Sequence, residues 1–93
     1  MGAVVERNMN KTHDLKLLPV YFHEVVLGNK NFEIRLNDRD FKVGDKIILR
    51  EFEGISQDYT GEFVEGEIMF VTDFMQAPGY VVFSFKPTFY YAE

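Results

Sequence analysis

The sequence predicts one small domain of mixed α+β class, a β-barrel of about five strands with one short helix packed at its side. Three observations carry that prediction. The chain has 93 residues, 46% hydrophobic and 27% charged, enough for one core and no second domain. Apolar residues recur with period two in short runs separated by glycine, proline, asparagine and aspartate, the pattern of strands joined by tight turns. Only one stretch has helical spacing, which excludes a doubly wound sheet, whose parallel strands each need a crossover helix.

Residues 1–12 are polar, show neither period, and are expected to form a flexible N-terminal arm before a domain at residues 13–86. Asp14-Leu15-Lys16-Leu17-Leu18 alternates as a first strand. Pro19 then suits the first turn of a helix, where a missing N–H loses no partner. Tyr21 with Val25 and Phe22 with Val26 lie one helical turn apart, and Gly28 supplies a left-handed terminus. Residues 19–27 therefore make a short lid with one apolar face.

Residues 31–36 switch to period two, placing Phe32, Ile34 and Leu36 on a core face and Glu33 and Arg35 on a polar one. Asn37-Asp38-Arg39-Asp40 and Val43-Gly44-Asp45 are turns, and residues 46–52 form a third strand. Residues 54–61 read as a loop, and residues 63–71 as a long strand with a bend or bulge at Gly66. Pro78-Gly79 turns the chain into a last strand, Tyr80-Val81-Val82-Phe83-Ser84-Phe85, apolar on both faces and so central or inside a barrel. Residues 87–93 are a C-terminal aromatic tail expected to pack back on the barrel or, less commonly for such tails, to face a partner.

Composition removes several functions. With no cysteine there is no disulfide, thiolate chemistry or thiolate-bound zinc, and a cytoplasmic setting is expected. No run of about 18 apolar residues suggests a membrane segment, and the N-terminal stretch has no apolar run of signal-peptide length. The two histidines, His13 and His23, fall on different elements, so no metal is expected. Asp38-Arg39-Asp40 resembles the start of a calcium loop, but Val43 stands where glycine is needed. Glycine-rich phosphate loops and nucleophile elbows are absent, and no cofactor is expected.

The net charge is −5, which argues against nucleic-acid binding by general electrostatics alone. The charge is nevertheless sorted. Residues 30–50 hold Lys30, Arg35, Arg39, Lys42, Lys46 and Arg50, whereas residues 51–73 hold seven acids and no base. A sorted solvated surface and a functional basic face are both consistent with this. On one strand, Glu33 and Arg35 project from the same side about 7 Å apart, with Lys30 at the strand's mouth. The structural reading is a surface ion pair; the functional one is a polar cleft in which Arg35 offers a planar fork to phosphate or a base edge.

His13-Asp14-Leu15-Lys16, Pro19 to Phe22, the run Gly28-Asn29-Lys30-Asn31-Phe32-Glu33-Ile34-Arg35, Asn37-Asp38-Arg39-Asp40-Phe41, Val43-Gly44-Asp45, Tyr59-Thr60-Gly61 and Pro78 to Val82 follow one another in a fixed order. That order resembles the ASCH domain of the PUA-like superfamily, and more closely a small bacterial and phage family of ASCH-like proteins of unknown function. The resemblance covers residues 12–85. It implies a PUA-like barrel with a cleft between helix and sheet for RNA or a modified nucleoside, lined by His13, Lys16, Lys30, Glu33 and Arg35 and bordered by Asp38 and Arg39. A structural role for His13, and for the turn carrying Asp38 and Arg39, stays open beside it, as does a core role for Tyr21, Tyr59 and Tyr80.

The first expectation is thus an RNA- or nucleoside-binding monomer without catalysis. A second comes from small ASCH proteins that hydrolyse acylated cytidine: Lys30 and Arg35 match their motif, but Glu33 stands in place of the threonine nucleophile, so Lys30 and Glu33 would be the catalytic pair. A third is a phage or mobile-element accessory protein whose acidic residues 51–73 meet a protein partner.

Overall fold

Alternating residues give β1 (Thr12–Leu17), in which His13, Leu15 and Leu17 point inward and Thr12, Asp14 and Lys16 outward. After it come α1 (Pro19–Val26), β2 (Phe32–Leu36), β3 (Lys46–Glu53), β4 (Asp58–Thr72) and β5 (Tyr80–Tyr91). The structure, a computed structural model, describes residues 10–93. Most of the expected N-terminal arm lies outside the described residues; Thr12 already belongs to β1, and Lys46 N–H donates to the Lys11 carbonyl at 2.9 Å.

The strands form one sheet in the order β1-β3-β4-β5-β2, with β1 parallel to β3 and every other pair antiparallel. This sheet curls into a half-barrel, so β1 and β2 are its two edges. Phe22 from α1 joins Ile47 and Leu49 of β3, Ile68 of β4 and Phe83 of β5 in the core, all fully buried. At about 25 cal/mol per Å² of apolar area removed from water, burial of the cluster they belong to is the main favourable contribution to folding.

α1 starts as the sequence requires, with Pro19 in its first turn, and ends at Gly28, whose φ is +81°. Gly28 N–H donates to the Val25 carbonyl at 3.0 Å and Asn29 N–H to the Glu24 carbonyl at 2.9 Å, the paired bonds of a Schellman motif. Lys30 N–H also reaches the Glu24 carbonyl, at 3.1 Å, so the helix end hands the chain directly into β2.

β2 has the opposite face inward from the one its apolar residues suggest. Glu33 is buried, while Phe32, Ile34 and Leu36 are exposed. The reason is register. Glu33 lies opposite Phe83 and Arg35 opposite Val81, and directly opposed residues share a face. Phe83 and Val81 are held inward by the core, so period two sends Phe32, Ile34 and Leu36 out.

Two further boundaries move. The turn after β3 is confined to residues 54–57, with Gln57 left-handed at φ +59°, and β4 starts at Asp58. The aromatic tail is strand: β5 runs to Tyr91 and pairs Tyr91, Tyr90 and Phe89 with Phe63, Val64 and Glu65. Pro87 is tolerated there because β2 covers only residues 80–84 of β5, leaving this stretch with one ladder instead of two. The β4–β5 register shifts between Glu65 and Gly66, beside Pro87, which makes the expected irregularity at Gly66 a β-bulge.

At that bulge a Cβ on Gly66 would sit 3.0 Å from the Lys86 carbonyl oxygen and 3.1 Å from the Phe85 ring. Gly66→Ala is expected to lose about 1–3 kcal/mol through overpacking. Urea denaturation should show a lower midpoint at unchanged m-value; a wild-type midpoint would refute the close approach.

Candidate functional site

The helix-terminal turn places Lys30 over the start of β2. Its ammonium donates to Glu33 Oε2 and, at 2.7 Å, to the Phe32 carbonyl, and it lies 5.0 Å from the Phe32 ring centroid and 5.9 Å from that of Tyr21. The other Glu33 oxygen, Oε1, accepts from Arg35 Nε at 2.9 Å and lies 2.9 Å from Nη2 of the same guanidinium. Glu33 is therefore a buried carboxylate with both oxygens engaged by cations, which is the condition under which burying such a charge is tolerable.

The same arginine crosses the opening of the half-barrel. Arg35 Nη2 donates to the Lys16 carbonyl at 2.7 Å, and Arg39 Nη1 to the Asp14 carbonyl at 3.0 Å. Two carbonyls of the β1 edge are thus satisfied by guanidinium groups from the far end of the sheet. Side chains close this gap where a barrel would use a strand ladder.

Two cavities flank these bridges and share Lys16 and Glu33's partner Arg35 in their linings. One, of about 750 Å³, lies between α1 and β2 and is lined by Leu18, Tyr21, Lys30, Glu33 and Ile34 as well as the shared pair. The other, of about 730 Å³, is lined by Asp14, Arg39, Arg50 and Tyr59 with the shared pair. Arg50 Nε donates to both oxygens of Asp14, at 2.8 and 2.9 Å, and the Lys16 ammonium stands 4.4 Å from the Phe52 ring centroid. Five cationic side chains therefore surround the double cleft, against Asp14, Glu24 and Glu33. Tyr21 and Tyr59, both exposed, stand one in each half.

Of the residues expected to line a cleft, the structure brings together Lys16, Lys30, Glu33, Arg35 and Arg39. Asp38 is exposed and lines neither cavity; it only approaches Arg39, at 3.9 Å. His13 lines neither cavity: as an inward residue of β1 it is 4% exposed, and its Nε2 is 2.7 Å from Asp45 Oδ2. Asp45 also accepts from the backbone N–H groups of Lys11 and Lys42 at 3.1 Å, and the His13 ring packs on Phe41 at 4.6 Å. This pair ties β1 to the Val43-Gly44-Asp45 turn and is structural. Asp14 and Arg50 were not singled out by pattern. Their meeting depends on the parallel β1–β3 register, with Lys16 opposite Arg50, and the only sequence signal was the cluster of bases in residues 30–50.

Among the described residues no group of three histidines or carboxylates could hold a metal ion. No described helix is long and apolar enough to cross a membrane.

Residues 12–85 match the family described as Domain of unknown function (DUF3850). The chain belongs to that family. The DUF3850 match starts where β1 starts and ends inside β5, so it takes in α1, the buried Glu33 and every cleft residue named above. A protein of Escherichia phage P2, described as "Uncharacterized 12.9 kDa protein in GpA 3'region", is 42% identical over 66 residues, covering 70% of this chain and 58% of the phage protein. The chain thus spans a little over half of that relative's length.

Two predictions follow from these ion pairs. Replacing Glu33 with alanine leaves Lys30 and Arg35 without their shared acceptor and is expected to lose about 1–3 kcal/mol, less than for a fully dry pair because both cations keep some contact with water. Equal urea midpoints for Glu33→Ala and wild type would contradict this. For Asp45, burial raises the pKa, but the His13 hydrogen bond and the Lys11 and Lys42 amides outweigh it and hold the carboxyl below its ordinary 3.8. A group depressed in the folded state stabilises above its unfolded pKa and loses that contribution as pH falls through the folded one. Wild-type stability should therefore drop below pH ~4, and Asp45→Asn should be less stable at pH 7 with a flatter acid limb in a denaturation series. Parallel acid limbs would refute the assignment.

Proposed function

We propose that this protein binds RNA or a nucleoside in the double cleft, as a PUA-like domain of the ASCH type without catalysis. The observation that carries the reading is the gathering of Lys16, Lys30, Arg35, Arg39 and Arg50 around one opening on a chain of net charge −5. Local concentration of cations on an acidic protein favours a polyanionic ligand at that place rather than general electrostatic adhesion. Arg39 and Arg50 keep guanidinium surface exposed for phosphate, and Tyr21 and Tyr59 offer faces for a base. The order of motifs, together with a curled sheet and one short helix, supports the ASCH assignment.

Hydrolysis of an acylated cytidine is the weaker reading. Glu33 is buried with each oxygen engaged by a cation, Lys30 on one and Arg35 on the other, so its carboxylate is committed to structural ion pairs.

An NMR titration at low salt with uridine 5′-monophosphate and N4-acetylcytidine tests this. Shifts are expected at Lys16, Lys30 and Arg50, and Arg39→Ala or Arg50→Ala should each weaken nucleotide binding roughly tenfold, about 1.4 kcal/mol. Unperturbed cleft resonances would overturn the proposal, and acetate release from N4-acetylcytidine would replace it with hydrolysis.

A further inference from the structure

The outer face of the sheet carries a row that the cleft alone does not explain. Lys16 lies opposite Arg50, Arg50 opposite Phe63, and Phe63 opposite Tyr91, so one line crosses β1, β3, β4 and β5 on the convex side. Its members already stack on one another. The Arg50 guanidinium lies 5.4 Å from the Phe63 ring centroid, and the Phe63 and Tyr91 rings lie 5.4 Å apart and 16° from parallel. Phe89 stands beside them, 6.0 Å from Phe63, and both Phe89 and Tyr91 are about half exposed. At its β1 end this row opens into the cavity that holds Lys16, Arg35, Arg39 and Arg50.

We propose that this row is a second part of the binding site, a stacking platform that carries single-stranded RNA out of the cleft across β3 and β4 to Tyr91. The inference rests on the cleft reading and names the ligand as a strand of several nucleotides instead of a lone nucleoside. Three interstrand steps of about 4.8 Å span roughly 14 Å, the length of about four stacked nucleotides. Aromatic faces interleaved with arginine and lysine are the chemistry that holds single strands with little sequence preference, because every base has a π-face. A protein partner fits less well, since the row itself is a narrow basic and aromatic line with its acids along the flanks: Asp14 is occupied by Arg50, Glu65 lies opposite Ile48 and Phe89, and Glu93 stands beside Gly61. Stacking supplies most of the affinity and few phosphates are neutralised, so log affinity should fall only shallowly with log salt, about −0.7 per phosphate contacted.

The test compares uridine 5′-monophosphate with uridylate oligomers of two, four and six residues on the full chain. Affinity should rise at least tenfold from the mononucleotide to the tetramer and then level off. Tyr91→Ala and Phe89→Leu, both on half-exposed side chains at the far end of the row from Arg50, should each abolish most of that gain and leave mononucleotide binding in the cleft unchanged. A mononucleotide that binds as tightly as the hexamer, or oligomer binding indifferent to both variants, overturns the platform while the cleft reading stands. Absence of binding by any of these ligands overturns both.

Discussion

The buried carboxylate of Glu33 is the constraint on which the rest of the arrangement depends. Once it faces inward, two cations must meet it, and each brings a distant element along. Lys30 anchors the end of α1 to the mouth of β2, because the Schellman turn at Gly28 fixes where that lysine begins. Arg35 satisfies the other oxygen through Nε and donates from Nη2 to the Lys16 carbonyl, which ties β2 to β1 across the open side of the half-barrel. A side-chain network thus does the closing that a strand ladder does in a full barrel, and it leaves a gap lined with polar groups.

That gap is what makes the cleft. A sheet closed by backbone hydrogen bonds would bury its edge carbonyls and present a continuous wall. Here the Asp14 and Lys16 carbonyls are met by Arg39 and Arg35, so guanidinium groups are held at the opening by structural bonds. The His13–Asp45 pair contributes from below, fixing β1 against the turn that leads into β3. It keeps Lys16 in register with Arg50 without touching either cavity.

The acidic segment takes a place consistent with this division. Glu51 is buried, accepting from the Thr60 hydroxyl at 2.8 Å with the exposed His23 ring 3.5 Å away, and Glu62 accepts from the Tyr90 hydroxyl at 2.7 Å. These acids hold the β3–β4–β5 end together, where Tyr90 also brings its ring within 6.3 Å of Phe22. Two of the seven acids of this segment are thus committed to structural contacts while five cations line the double cleft, so the net charge of the chain says little about the local charge of that opening.

The sequence by itself determined the local grammar: the helix opened by Pro19 and ended by Gly28, the turns at Asn37 to Asp40 and Pro78-Gly79, the irregularity at Gly66, and the bases gathered in residues 30–50. These are legible because turn chemistry, capping and period are properties of neighbours in the chain. Only the tertiary structure decided which face of β2 turns inward, since alternation is unchanged when its two faces are exchanged and the choice was made by pairing with Phe83 and Val81 of β5. It also decided that the aromatic tail would be strand, because Pro87 breaks a ladder only where two neighbours compete for its backbone. The meeting of Lys16, Arg50, Phe63 and Tyr91 was hidden for the same reason: their adjacency is a matter of strand register, set by the core and invisible in the order of residues.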